Sequence, residues 1–111
     1  MTDNHLSLFC LVDGESTSNA FPVEVESTKT IGDFKKLIKS EIPDTFNGVD
    51  AKDLTLWRVS IPITDDDDIP ILLNNVTSGK KKLGLATRLS KVFPEELPEE
   101  TVHIIVQRPP L

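Results

Sequence analysis

The sequence predicts an α+β domain: one mixed sheet packed on one main helix, with a second short helix. Three observations predict it. Alternating apolar and polar runs stand near both ends of the chain, a single long amphipathic segment lies between them, and 111 residues hold one core with little room for a second. Residues 1–111 are therefore expected to form one domain. Apolar residues make up 38% and charged residues 27%, a globular balance, while eight prolines predict several irregular connections.

Residues Leu6 to Val12 read as the first strand, with Leu6, Leu8, Cys10 and Val12 on one side and Ser7, Phe9 and Leu11 on the other. The second side is unusually apolar. Asp13-Gly14 and the polar stretch after it are turn chemistry. They lead into Phe21, Val23 and Val25 alternating with Pro22, Glu24 and Glu26, which completes a hairpin with a long loop. Thr30 opens a helix, where Asp33 forms a carboxylate version of the capping box and puts negative charge at the positive end of the dipole. Ile31, Phe34, Leu37, Ile38 and Ile42 are assigned to its apolar face, with Lys35, Lys36 and Lys39 off it. Pro43 stops it, because the residue before a proline is driven out of helical geometry.

The stretch DLTLWRVSI alternates again, with apolar residues on both sides, and predicts a third strand. From Pro62 to Lys82 no period holds, so a long insertion-like loop is expected, with at most a short helix. Leu85, Leu89, Val92 and Phe93 recur at helical spacing and predict the second short helix within Leu83 to Phe93. TVHIIVQR is a strong closing strand, ended by Pro109-Pro110. The order ββαβ…β suits the β-grasp arrangement, in which the first and last strands pair in parallel at the centre of the sheet.

Charge and composition exclude several roles. Eighteen acidic residues against 12 basic ones give a formal charge of −6, which repels phosphate backbones, so direct nucleic-acid binding is not expected. The lone Cys10 cannot form an internal disulfide. The run from Leu8 to Val12 is too short for a membrane span or a standard signal-peptide core, and no basic region precedes it. His5 and His103 are the only histidines, and the five glycines build no phosphate-cradling loop. No serine-elbow string or metal-ligand spacing occurs, so neither catalysis nor a cofactor is expected.

LFCLVDG followed by VEVESTKTI resembles the first hairpin and helix entry of ubiquitin. A closer resemblance spans nearly the whole chain. LFCLVDGES, FPVEV, TIGDFKKLIKSEI, FNGVDAKDLTLWRVSIP and LATRLSKVFPEELPEETVHIIVQRPP, in that order, are similar to the N-terminal header domain of the Crinkler effectors of oomycetes and some fungi. The resemblance implies a ubiquitin-like header tied to secretion and entry into a host cell, whose nucleus is where the family's effector domains often act. It also implies a separate C-terminal effector domain in the full-length protein. Of that family's L-F-L-A-K string only Leu8 and Phe9 match here, with Cys10, Leu11 and Val12 following. Ubiquitin-like conjugation is not expected, since an activating enzyme needs a Gly-Gly tail and this chain ends QRPPL.

Three features are candidates for contact with a protein partner, most simply a second copy. Asp65, Asp66, Asp67 and Asp68 form an acidic run that lacks the alternating ligands and glycine of a calcium loop. Lys80, Lys81 and Lys82 form a basic one, and the two runs could join copies head to tail or pair within one molecule. Phe9 and Leu11 form the third candidate: they point outward as an apolar patch unless the insertion from Pro62 to Lys82 folds over them. The competing function is an intracellular ubiquitin-like adaptor that binds a partner through its sheet face or charged loops.

Overall fold

A computed structural model describes residues 5–42, 48–63, 70–76, 79–93 and 100–109. Its elements are β1 (His5–Val12), β2 (Phe21–Glu26), α1 (Ile31–Glu41), β3 (Thr55–Pro62), β4 (Lys81–Lys82), α2 (Leu89–Val92) and β5 (Thr101–Gln107). Among the described residues the strands form one sheet in the order β2-β1-β5-β3-β4. β1 and β5 run parallel, with Cys10 opposite Ile104 and Val12 opposite Val106, and the other pairings are antiparallel. The first and last strands are therefore central neighbours, as the β-grasp order requires.

α1 begins where the sequence places it. Thr30 Oγ1 accepts from the Asp33 N–H at 3.3 Å, and Asp33 Oδ2 accepts from the Thr30 N–H at 3.4 Å, closing a reciprocal cap. The next two amides are taken by a neighbouring segment: Ile31 N–H donates to Thr87 O at 2.9 Å and Gly32 N–H to Leu85 O at 3.0 Å. Donors that a helix leaves orphaned are thus satisfied within the chain.

The apolar face of α1 differs from the expected one. Ile31, Phe34 and Ile38 are fully buried, but Leu37 is 39% exposed and Lys35 is buried in its stead. At about 100° per residue, Ile31, Phe34, Ile38 and Ile42 centre a stripe on whose flank Lys35 lies and from whose middle Leu37 is turned away by more than a right angle. Leu37 instead overhangs β2, the edge of the sheet, where among the described residues no further strand covers it.

The sheet is covered on both sides. Beneath α1 and α2 lies a cluster containing Leu8, Cys10, Phe34, Leu56, Leu89 and Ile104. On the opposite side Leu11, Val59, Leu73, Val102 and Ile105 form a second cluster, flanked by Trp57, Ile71 and Val76. The segment after β3 supplies Ile71, Leu73 and Val76, and the loop after β1 holds it in place. Gly14 N–H donates to Ile71 O at 2.9 Å, Ile71 N–H to Glu15 O at 2.8 Å and Leu73 N–H to Asp13 Oδ1 at 2.7 Å. Gly14 has φ +95°, a left-handed conformation open to glycine at little cost.

Two expectations for this region need revision. Lys81 and Lys82 are not loop residues: they form β4 against Arg58 and Trp57. The second helix is only Leu89–Val92, and Leu85 lies outside it, 57% exposed. Leu89 N–H and Ser90 N–H donate to Lys29 O and Ser27 O, both at 2.9 Å, so this segment is fixed by the entry to α1 rather than by helical propensity.

Candidate functional site

Leu11 is not on an accessible face. It is fully buried in the second cluster, beneath the segment carrying Leu73, so of the pair Phe9 and Leu11 only Phe9 keeps partial exposure. The cause is the covering layer itself, whose apolar residues stand without a regular period in the sequence and are held by hydrogen bonds to the loop after β1. Leu8, the other position matching the family string, lies at 0% exposure in the cluster under the helix.

Phe9 sits where the parallel ladder ends. Its N–H donates to His103 Nδ1 at 3.1 Å, so an imidazole satisfies an amide that the paired residues Cys10–Val12 of β1 leave beyond the ladder. The His103 ring lies among Phe9 and Phe93, with ring centres 6.3 and 6.2 Å away, and the Arg58 guanidinium covers Phe93 at 5.4 Å. β3 carries an extra residue relative to β5 at this point, between Arg58 and Ile61, which puts Val102 and Ile105 into one cluster despite their odd spacing. His103 is thus bound into the packing of the strands.

Cys10 is equally embedded. Burial pushes its thiol pKa far up, and its Sγ donates to Leu8 O at 3.7 Å within the same strand. A thiol kept protonated is not a nucleophile. His5 is exposed, with Nε2 3.6 Å from Glu24 Oε2. Among the described residues no group of three His, Cys, Asp or Glu side chains is placed to hold a metal ion, and no helix is long and apolar enough to cross a membrane.

The lysine run divides. Lys80 Nζ donates to Leu73 O at 3.1 Å and lies 5.7 Å from the centre of the Trp57 ring, so it fastens the covering segment to the sheet. Lys81 and Lys82 remain exposed on the β4 edge, while Asp65, Asp66, Asp67 and Asp68 lie outside the described residues. Lys82 also acts on α1. Burial, and secondarily the Lys82 charge, hold the Lys35 pKa below its ordinary value. The folded state therefore binds this proton less readily than the unfolded chain, and stability rises with pH between the folded and unfolded pKa values. Lys35→Met keeps the apolar stem and removes the charge. It is expected to raise the melting temperature at neutral pH, with an advantage over the parent that shrinks as pH approaches the unfolded lysine value, about 10.4. Thermal denaturation across that range checks both the sign and the trend.

The outer side of α1 carries a feature the sequence reading passed over. Leu37 stands in a groove of about 500 Å³ whose lining includes Pro22, Val23, Glu24, Ser40 and Glu41. Toward the start of the helix, Leu85 stands in a pocket of about 260 Å³ with Asp33, Lys36 and Lys52 on its rim. The available signal was angular: Leu37 falls off the buried stripe and yet is apolar.

Comparison with known proteins adds a family-level finding. Residues 6–107 match the family described as Crinkler effector protein N-terminal domain. The chain is 42% identical over 104 residues to Crinkler effector protein 1 of Rhizophagus irregularis, covering 94% of this chain and 22% of that protein. It is 43% identical over 61 residues to Crinkler effector protein 15 of Phytophthora infestans, covering 55% of this chain and 10% of that protein. The same identity and span relate it to Crinkler effector protein 2 of Phytophthora infestans, where 13% of that protein is covered. The chain thus spans about a fifth or less of the length of these relatives.

Proposed function

The chain belongs to the Crinkler effector N-terminal domain family, and on that premise we propose that it is the non-catalytic header of a secreted effector. In this reading it mediates secretion and entry into a host cell through contacts with other proteins, itself included, while the effector's own activity resides in a separate C-terminal domain. The observation that carries it is the extent of the match: nearly all of this ubiquitin-like domain aligns with a small fraction of a much longer relative. The burial of Cys10 and the structural engagement of His103 support a binding role over chemistry.

The burial of Leu8 gives this reading a physical condition. A receptor cannot read the Leu8-Phe9 string as an extended peptide while Leu8 is in the core, so recognition falls to the folded surface or follows local opening of β1. The 111-residue chain fused to a fluorescent reporter and expressed in a producing cell tests the proposal. Reporter inside recipient cells is the expected result. Retention in the producer overturns it and favours the intracellular adaptor.

A further inference from the structure

We propose that the outer edge of β2, together with the flank of α1 that carries Leu37, binds an extended peptide of another protein in which basic and apolar residues alternate. This rests on the reading of the chain as a domain that works through protein contacts, and it names the chemistry of one partner. The inference starts from the direction in which the backbone of β2 faces. Phe9 N–H donates to His103 Nδ1 and Asp13 N–H to Val106 O, so the odd-numbered residues of β1 turn their backbone groups toward β5. The even-numbered ones turn theirs toward β2, where Leu6, Leu8 and Cys10 stand opposite Val25, Val23 and Phe21. Pro22, Glu24 and Glu26 therefore direct their backbone groups away from the sheet, along an edge to which, among the described residues, no further strand is paired. Pro22 has no N–H to offer, and Glu26 O already accepts from Lys29 N–H at 3.0 Å. Glu24 N–H and O, with Glu26 N–H, are the groups that an added strand meets.

The side chains dictate what that strand carries. Directly opposite residues of a ladder share a face, and successive residues alternate faces. On the face away from α1, Glu24 and Glu26 are exposed. On the α1 side, Leu37 is 39% exposed in the groove of about 500 Å³ that Val23 and Glu41 help to line. An added strand thus presents a cation opposite each β2 glutamate and an apolar side chain opposite Val23, where it covers Leu37. Antiparallel pairing lets one residue take both Glu24 N–H and Glu24 O. Written from its N-terminus, the peptide core is Lys-Val-Arg-Leu, with its lysine opposite Glu26, its arginine opposite Glu24 and its leucine over Leu37. The His5 imidazole, 3.6 Å from Glu24 Oε2, is exposed and is a weaker partner for that carboxylate than an arginine.

Proline and charge on an edge strand discourage indiscriminate pairing. Here Pro22 blunts one end, while Glu24, Glu26 and Glu41 give the edge and its groove one sign, which rejects acidic strands and admits basic ones. The formal charge of −6 draws a cationic peptide toward the domain. A second copy is not the occupant that fits, since the exposed basic strand of this chain, β4, is only Lys81–Lys82 and lacks the alternation.

Fluorescence anisotropy of a labelled peptide with this core, titrated with the 111-residue chain at about 0.1 M salt, is the test. Saturable binding is expected, about tenfold or more tighter than for the scrambled core Lys-Arg-Val-Leu, which keeps the charge and breaks the alternation. N-methylation of the peptide's arginine amide, which faces Glu24 O, weakens binding about tenfold, whereas N-methylation of its valine amide, which faces solvent, does not. Leu37→Asp and Glu24→Lys each weaken it while keeping the parent's circular dichroism and melting curve, as both positions are exposed. A peptide with glutamate in place of its arginine recovers binding to the Glu24→Lys variant. Equal binding of the scrambled core, tolerance of the N-methylated arginine, or a Leu37→Asp variant that binds as the parent does overturns the proposal. So does binding that vanishes as the chain is concentrated, which gives the edge to a second copy. No peptide binding by a chain that still carries the reporter into recipient cells overturns this inference alone. Binding without delivery overturns only the delivery reading.

Discussion

Phe34→Ala is expected to lower the free energy of unfolding by about 3–5 kcal/mol, the cost of emptying a fully buried aromatic site in a well-packed core. Phe34 has no exposed surface and belongs to the cluster that includes Leu8, Cys10 and Ile104 from the two central strands. A domain of this kind holds only about 5–15 kcal/mol in all. The variant should therefore unfold at much lower urea concentration with an unchanged m-value, since the surface exposed on unfolding is nearly the same. Lys36→Ala, two residues on and on the exposed side of the helix, should move the midpoint little. A Phe34→Ala midpoint equal to the parent's would mean that α1 does not rest on the paired β1 and β5, and the β-grasp topology would fail with it.

That topology was legible because its determinants are local or periodic. The reciprocal cap needs only Thr30 and Asp33 at the right spacing, and the hairpin needs only two alternating runs around a turn. The parallel pairing of β1 with β5 followed from element order and from the strong closing strand, whose residues 102–106 are all buried, the polar His103 included. Leu37 was misassigned for an instructive reason: it was counted for its type rather than its angle, and the sheet edge that leaves it uncovered is a tertiary fact. Lys81 and Lys82 form a strand because β3 offers an unpaired edge beside Arg58 and Trp57, a cue absent from the two lysines themselves. The candidate surfaces fared less well than the fold for the same cause. Whether a residue such as Leu11 meets water depends on a covering segment held by Asp13, Gly14 and Glu15, contacts about sixty residues apart in sequence that no period announces.

Leu11→Ala is expected to destabilise the domain by about 2–5 kcal/mol, and Leu73→Ala by an amount toward the lower end of that range. Leu11 is fully buried and Leu73 is 3% exposed, and both belong to the cluster on the side of the sheet away from α1. If they support one another across that layer, the double variant will cost less than the sum of the two, with a coupling of about 0.5–3 kcal/mol in a thermodynamic cycle. Strict additivity would mean that Leu73 covers some other part of the sheet. A Leu11→Ala variant as stable as the parent would return Leu11 to the list of accessible interface residues. The distinction bears on function, since any loss of delivery in a Leu11 variant must be divided between unfolding and lost recognition. Phe9, half-buried beside His103, is the neighbouring position at which a polar substitution can separate the two effects.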